Sequence, residues 1–175
     1  MSYREIVTKT IIGKGRKSFT NQYQLKTEQD PNTILGCWII NHKFSGTNNK
    51  NDVKINGSFD LNVWYSYDND TKTSVSTQTF TYNENMKLRV NDLDSLSNNN
   101  EIIVRSLRQP TVQNVEIKDN IVEVKIEKEL GVEIVGESKV KVAIEDDELP
   151  WDDVYEEEKN IDTLNESYIK EDNSL

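Results

Sequence analysis

Cysteine, histidine and alanine each occur once in these 175 residues, as Cys37, His42 and Ala143. A single cysteine excludes an intramolecular disulfide framework and any cysteine-based zinc cluster. Its plain reading is a small buried apolar residue. A single histidine means that a Ser-His-Asp or Cys-His constellation could be built only around His42. His42 adjoins the apolar run Trp38-Ile39-Ile40 and reads as a structural or surface histidine. No Cys/His set has metal-ligand spacing. Gly13-Lys14-Gly15-Arg16-Lys17 lacks the phosphate-loop spacing, and no helical pattern follows it, so it reads as a basic turn. No catalytic, metal or cofactor site is therefore expected, and the chain reads as non-enzymatic. No apolar run approaches the ~20 residues that span a bilayer. No apolar stretch of a signal peptide follows Met1-Ser2-Tyr3-Arg4-Glu5, so the expectation is a cytosolic product without a membrane partner. Apolar residues make up 34% of the chain, below the roughly 45–50% typical of globular chains. Either the core is thin or part of the chain stays outside it.

The shortage of alanine, with Thr, Val, Ile and Tyr common, favours strands over helices. Periodicity decides the matter. From Val53, one face reads Val53, Ile55, Gly57, Phe59, Leu61, Val63, Tyr65, Tyr67, and the other carries Lys54, Asn56, Ser58, Asp60, Asn62, Trp64 and Ser66. This is a long half-buried strand, with Gly57 a candidate bulge. Residues 132–144 alternate in the same way, with Gly136 in the corresponding bending role. Shorter strands are expected at 5–12, 18–27, 71–82, 102–107, 112–117 and 121–129. Ile34–Phe44 is apolar enough to suit a strand buried on both faces. Breaks are expected at Gly13-Lys14-Gly15, Asp30-Pro31-Asn32, 45–51, Asp68-Asn69-Asp70, 83–85, 97–100, Gln109-Pro110 and Asp119-Asn120, the last a tight hairpin. Residues 85–97 read as loop or short helix. The spacing of turns predicts an all-β fold, an antiparallel sandwich or barrel-like domain.

Charge divides the chain. Residues 145–175 hold 13 acids and 2 lysines, for −11, while the remainder holds 18 acids and 19 basic residues, for +1. A segment so charged cannot bury enough apolar surface to offset its ordering entropy. The sequence thus predicts a β-rich domain over 1–144 and a disordered acidic tail over 145–175. An acidic chain with no concentrated basic patch is repelled by phosphates, so nucleic acid is not an expected partner.

The aromatics remain. Trp38 and Trp64 read first as core residues, with interface anchoring as the alternative. Trp151 has no core around it. Together with Tyr155 and the acids Asp152, Asp153, Glu156, Glu157 and Glu158, it reads as a linear motif for a partner with an apolar pocket and a basic rim. Trp64, Tyr65 and Tyr67 could alternatively stack sugars on a carbohydrate-binding sandwich.

Several strings carry a resemblance that composition does not supply. Tyr3-Arg4-Glu5-Ile6-Val7-Thr8-Lys9, Lys14-Gly15-Arg16-Lys17, Ile34-Leu35-Gly36, Trp38-Ile39-Ile40-Asn41-His42-Lys43, Asp60-Leu61-Asn62-Val63-Trp64-Tyr65-Ser66-Tyr67, Thr71-Lys72-Thr73, Gln109-Pro110 and Val135-Gly136-Glu137-Ser138-Lys139-Val140 resemble, in order and spacing, the CotE family of outer spore-coat morphogenetic proteins. The likeness covers residues 3–144 by motif and the tail by composition. Cys37 departs from it, standing where the family is expected to have glycine. The resemblance implies a scaffold made in the mother-cell cytoplasm and then deposited in the spore coat. Its implied partners are further copies of itself, basement-layer coat proteins and outer-coat proteins. By the same resemblance, self-association falls to Trp38, Ile39, Ile40, Asn41, His42 and Lys43. Spore docking falls to Asn62, Val63, Trp64, Tyr65, Ser66 and Tyr67. Coat-protein recruitment falls to Trp151, Asp152, Asp153, Tyr155, Glu156, Glu157 and Glu158.

Overall fold

A computed structural model describes residues 2–49, 52–88 and 99–144. Among them the chain forms six strands and no helix: β1 (Ser2–Lys26), β2 (Thr33–Asn49), β3 (Asp52–Tyr67), β4 (Lys72–Lys87), β5 (Glu101–Lys118) and β6 (Ile121–Ile144). These make two antiparallel three-stranded sheets, ordered β2-β3-β4 and β1-β6-β5. Residues 6–140 form one compact unit, and the described ends, 2–5 and 141–144, belong to a second. The account below concerns the first.

The central strands carry the core. On β3 the inward set Val53, Ile55, Phe59, Leu61, Val63 and Tyr65 is at most 2% exposed, which is the face the alternation assigned. On β6 the inward set is Val122, Val124, Ile126, Leu130, Val132 and Ile134. Phe19 and Leu25 from β1, with Tyr82 and Met86 from β4, complete one cluster with them. Each large apolar side chain taken from water contributes about 1.5–3 kcal/mol, so these facing rows account for most of what holds the sheets together.

Several expected breaks are absent. Gly13-Lys14-Gly15 lies inside β1, Gln109-Pro110 inside β5, and residues 83–85 inside β4. The basic pentapeptide at 13–17 is therefore strand, not turn. β2 likewise runs through 45–49. The strands expected at 121–129 and 132–144 are one strand, β6. The glycines serve packing here: a Cβ on Gly15 would meet the Leu88 side chain. Pro110 sits where the β5 register slips between Arg108 and Thr111, and a bulge on an edge strand tolerates its missing N–H. Of residues 85–97, where a loop or short helix was expected, 85–87 end β4 and 89–97 lie outside the described residues.

Other turns form as read. Asp68, Asn69 and Asp70 have φ of 55°, 56° and 62° and join β3 to β4. Asp119 and Asn120, at 48° and 61°, bring Lys118 opposite Ile121. Two successive left-handed residues match the right-handed twist of a hairpin.

Candidate functional site

Whatever this fold offers a partner must lie on the outer faces of its sheets, because the inner faces are spent on the core. β2 is an edge strand, and the expectation that Ile34–Phe44 is buried on both faces is wrong. Ile34, Cys37, Ile39, His42 and Phe44 turn toward the interior, while Leu35, Trp38 and Ile40 stay exposed. Cross-strand register then fixes their neighbours. Gly36 pairs with Trp64, Trp38 with Asn62 and Ile40 with Asp60. Across β3, Trp64 pairs with Val75, Asn62 with Thr77 and Asp60 with Thr79.

The result is an apolar cluster of Leu35, Trp38, Ile40, Trp64 and Val75 on the outer face of the β2-β3-β4 sheet, each 42–50% exposed. Trp38 and Trp64 are thus not core residues. Both indoles lie over Gly36, where a Cβ would stand 3.6 Å from Trp38 and 3.7 Å from Trp64. The glycine leaves room for two rings to share one patch of backbone. Sequence reading had placed these tryptophans in separate segments of separate function; pairing of β2 with β3 brings them onto one surface.

A polar ladder borders the cluster. Asp60 accepts hydrogen bonds from Asn41 Nδ2 (2.7 Å) and Thr79 Oγ1 (2.6 Å). These bonds, Thr79's first, hold its carboxyl below the usual carboxylate range. Asn62 Oδ1 accepts from Thr77 Oγ1 at 2.7 Å, whereas its buried Nδ2 has no partner. Asn41 has φ 55° and opens a bulge: Asn41 and His42 together oppose one β3 residue, between the pairs Ile40–Asp60 and Lys43–Ser58. The bulge assigned to Gly57 therefore belongs to β2. β3 keeps unbroken register with β4 through Gly57, and Gly57 lacks a side chain because a Cβ would overlap the Tyr82 ring.

The bulge re-aims His42 inward. Its Nε2 lies 2.7 Å from the Tyr82 hydroxyl and its Nδ1 3.2 Å from Gln109 Oε1. Gln109 Oε1 can only accept, so Nδ1 donates to it and Nε2 accepts from Tyr82. Desolvation, reinforced by the Lys128 charge, holds the imidazole pKa below its usual 6.5. Lys128 itself is 1% exposed. Its Nζ donates to Asn21 Oδ1 (2.7 Å) and Glu84 Oε1 (3.0 Å), and stands 4.1 Å over the Tyr82 ring. This network joins β1, β2, β4, β5 and β6. Its geometry is that of a clamp.

The residues singled out from sequence divide accordingly. Trp38, Ile40, Asn41 and Lys43 face outward, and Ile39 and His42 inward. Of the second set, Trp64 lies on the outer face with Asn62 beneath its neighbours. Val63 and Tyr65 are wholly buried, and Tyr65 donates to Gln29 Oε1 at 2.8 Å. Ser66 is buried and bonds Asp70. Trp151, Asp152, Asp153, Tyr155, Glu156, Glu157 and Glu158 lie outside the described residues. Burial raises the Cys37 thiol to about 11, which makes it a poor nucleophile. Leu35 and Val75 were missed, because single apolar residues at a bulge and in a Thr-rich strand carry no signal of their own. Among the described residues no group of three or more His, Cys, Asp or Glu could hold a metal ion.

The family described as Outer spore coat protein E (CotE) matches residues 2–175. No curated protein and no solved structure matches the chain.

Proposed function

Since the chain belongs to the CotE family of outer spore coat proteins, a family of structural coat proteins, we propose that it is a self-assembling scaffold of the coat whose copies meet through the outer face of the β2-β3-β4 sheet. The observation that carries this is the paired, exposed Trp38 and Trp64 over Gly36, flanked by Leu35, Ile40 and Val75. Contiguous exposed apolar surface with a polar rim marks interaction sites. Trp anchors supply much of the energy when such a face is covered. Asn41, Asp60 and Thr79 form the rim that would set register. The contact is one of side-chain faces: β2 ends its sheet, but β5 lies alongside it, which leaves little edge for main-chain pairing.

Docking on the basement layer and recruitment of outer-coat proteins belong to the same proposal. The former assigns Trp64, with Asn62 buried beneath its neighbours, to a surface shared with self-association, because the two segments are neighbours in one sheet. The latter rests on Trp151 and Tyr155 set among acids. Sugar stacking by Trp64, Tyr65 and Tyr67 is not supported, since Tyr65 is buried.

The test is sedimentation of the full chain over a wide concentration range with reductant present. Oligomers are expected, and they should persist in Cys37→Ser. The double substitution Trp38→Ser with Trp64→Ser should weaken assembly at least about tenfold with little change in melting temperature. A monomer at every concentration, or assembly untouched by the double substitution, overturns the reading.

A further inference from the structure

The other sheet carries a groove that the proposed assembly face does not use. Its floor is Leu107 and Gly131, and its rim is Lys14, Arg16 and Arg105, enclosing about 540 Å³. Register explains the floor. β5 gains one residue between Ser106–Leu130 and Arg108–Glu129, so Leu107 is the extra residue of a bulge. It lies over Gly131, whose missing Cβ would stand 3.0 Å from it. Leu107 is left 49% exposed. The rim is layered by charge. Glu133 pairs with Lys14 and Arg105, each at 3.4 Å, and Glu129 with Arg16 at 3.8 Å. The two carboxylates are only 14% and 19% exposed, against 60–76% for the three cations. The acids anchor the cations from below, and the face shown to solvent is positive, with three cations against two acids.

We infer that this groove binds the acidic segment Glu145–Glu158 of a neighbouring copy, with Trp151 on the Leu107–Gly131 floor and the flanking carboxylates on Lys14, Arg16 and Arg105. The segment is Glu-Asp-Asp-Glu-Leu-Pro-Trp-Asp-Asp-Val-Tyr-Glu-Glu-Glu. It places acids on both sides of one large aromatic ring, which matches an apolar floor between cationic walls. Arg and Lys heads already tethered by shielded carboxylates lose little freedom on binding and keep donors free for incoming oxygens.

Reach selects the second copy. Gly131 lies nine residues up β6 from Val140, about 30 Å at ~3.3 Å per residue. Of the eleven residue steps from Val140 to Trp151 the first four still belong to β6, and the seven that follow span at most about 25 Å even fully extended. That falls short of the chain's own groove, whereas a neighbour's segment is free of that limit. Because the segment is also the proposed recruiting motif, occupancy of the groove and capture of another coat protein exclude each other at a given tail.

The probe is a fluorescent peptide of residues 145–158, titrated with the full-length protein and followed by anisotropy. The titrant carries Trp151→Ala, so that its own tail does not compete. Saturable binding is expected. Leu107→Asp and, separately, Arg105→Glu should weaken it at least about tenfold, and raising salt should weaken it in all cases. Both substituted side chains are exposed, and an unchanged melting temperature verifies the fold. A peptide with Trp151 replaced by Ala should bind at least about tenfold more weakly. No binding, or binding indifferent to both groove substitutions, overturns the proposal. Trans occupancy is read by mixing a chain carrying Leu107→Asp, tail intact, with one carrying Trp151→Ala, groove intact. Zero-length crosslinks from tail carboxylates to Lys14 should run only between the two partners and rise with concentration. Crosslinks confined within single wild-type chains and independent of concentration overturn the neighbour. Peptide binding does not require the Trp38–Trp64 face, so its failure leaves the assembly reading standing, and the converse holds.

Discussion

Lys128 is the only charged side chain among the described residues that is buried below a tenth exposed. It survives there because Asn21, Glu84 and the Tyr82 ring each take a share of its charge. Breaking such a pair by removing one partner leaves the other charge buried, at a cost of about 3–5 kcal/mol, whereas apolar replacement of the pair is often near neutral. Lys128→Ala is therefore expected to lower stability by about that amount in urea titrations. Lys128→Met combined with Glu84→Gln should cost much less. His42 sets a pH dependence in the same network. Its folded pKa is depressed below 6.5, so the unfolded chain binds the proton first as pH falls. The stability it contributes is present above pH 6.5 and is lost as pH drops through the lower folded value. Melting temperatures should decline from about pH 6.5 downward, and His42→Gln should flatten that decline. An undiminished slope in the variant would assign it to the carboxylates instead.

At the scale of strands, the bulge in β2 does two jobs: it sends His42 inward, and it turns Trp38 and Ile40 outward on the near side. Asn41 holds it at φ 55°, a conformation that glycine and asparagine tolerate and β-branched residues do not. Asn41→Gly should cost no more than about 1 kcal/mol, chiefly for the lost bond to Asp60. Asn41→Val should cost roughly 2 kcal/mol or more, and it should weaken assembly as well if the register of β2 slips. Chemical denaturation and sizing of the same samples check both. The bulge also shows where sequence reading stopped. The alternation of β3 was fully legible because one face of it is core and period two is strict. The continuity of β1, β5 and β6 was not, because Gly15 and Gly131 look like punctuation until the side chains packed against them are known, and Pro110 does until the register slip beside it is. Trp38 was legible as an anchor or a core residue but not as one rather than the other. The slips on either side of it, at Leu35 and at Asn41–His42, decide which face it takes, and neither a lone Leu nor an Asn-His pair in a strand gives a sign of a slip.

For the whole molecule, the two sheets offer unlike outer surfaces: paired indoles with an apolar surround and an Asp60 rim on one, tethered cations around a Leu-Gly floor on the other. A face that meets its own copy closes at a dimer, whereas a groove filled by the next molecule's segment need not close. Either contact alone yields a limited particle or a simple chain, and the two together extend in more than one direction, as a layer requires. Leu107→Asp is accordingly expected to stop growth at small closed oligomers in sedimentation velocity, while the Trp38→Ser, Trp64→Ser pair leaves only weak, salt-sensitive association. Large assemblies undiminished by Leu107→Asp would show that the face propagates by itself. The Gly36 cradle has an optical side as well. Of the three tryptophans in the chain, two stand together over one glycine and open to water, so their emission is expected near that of free indole. Covering the face must shift it to the blue and shield it from iodide quenching. With Trp151→Phe removing the third fluorophore, ultraviolet emission from an unlabelled sample becomes a direct gauge of how much of that surface is occupied as coat material grows.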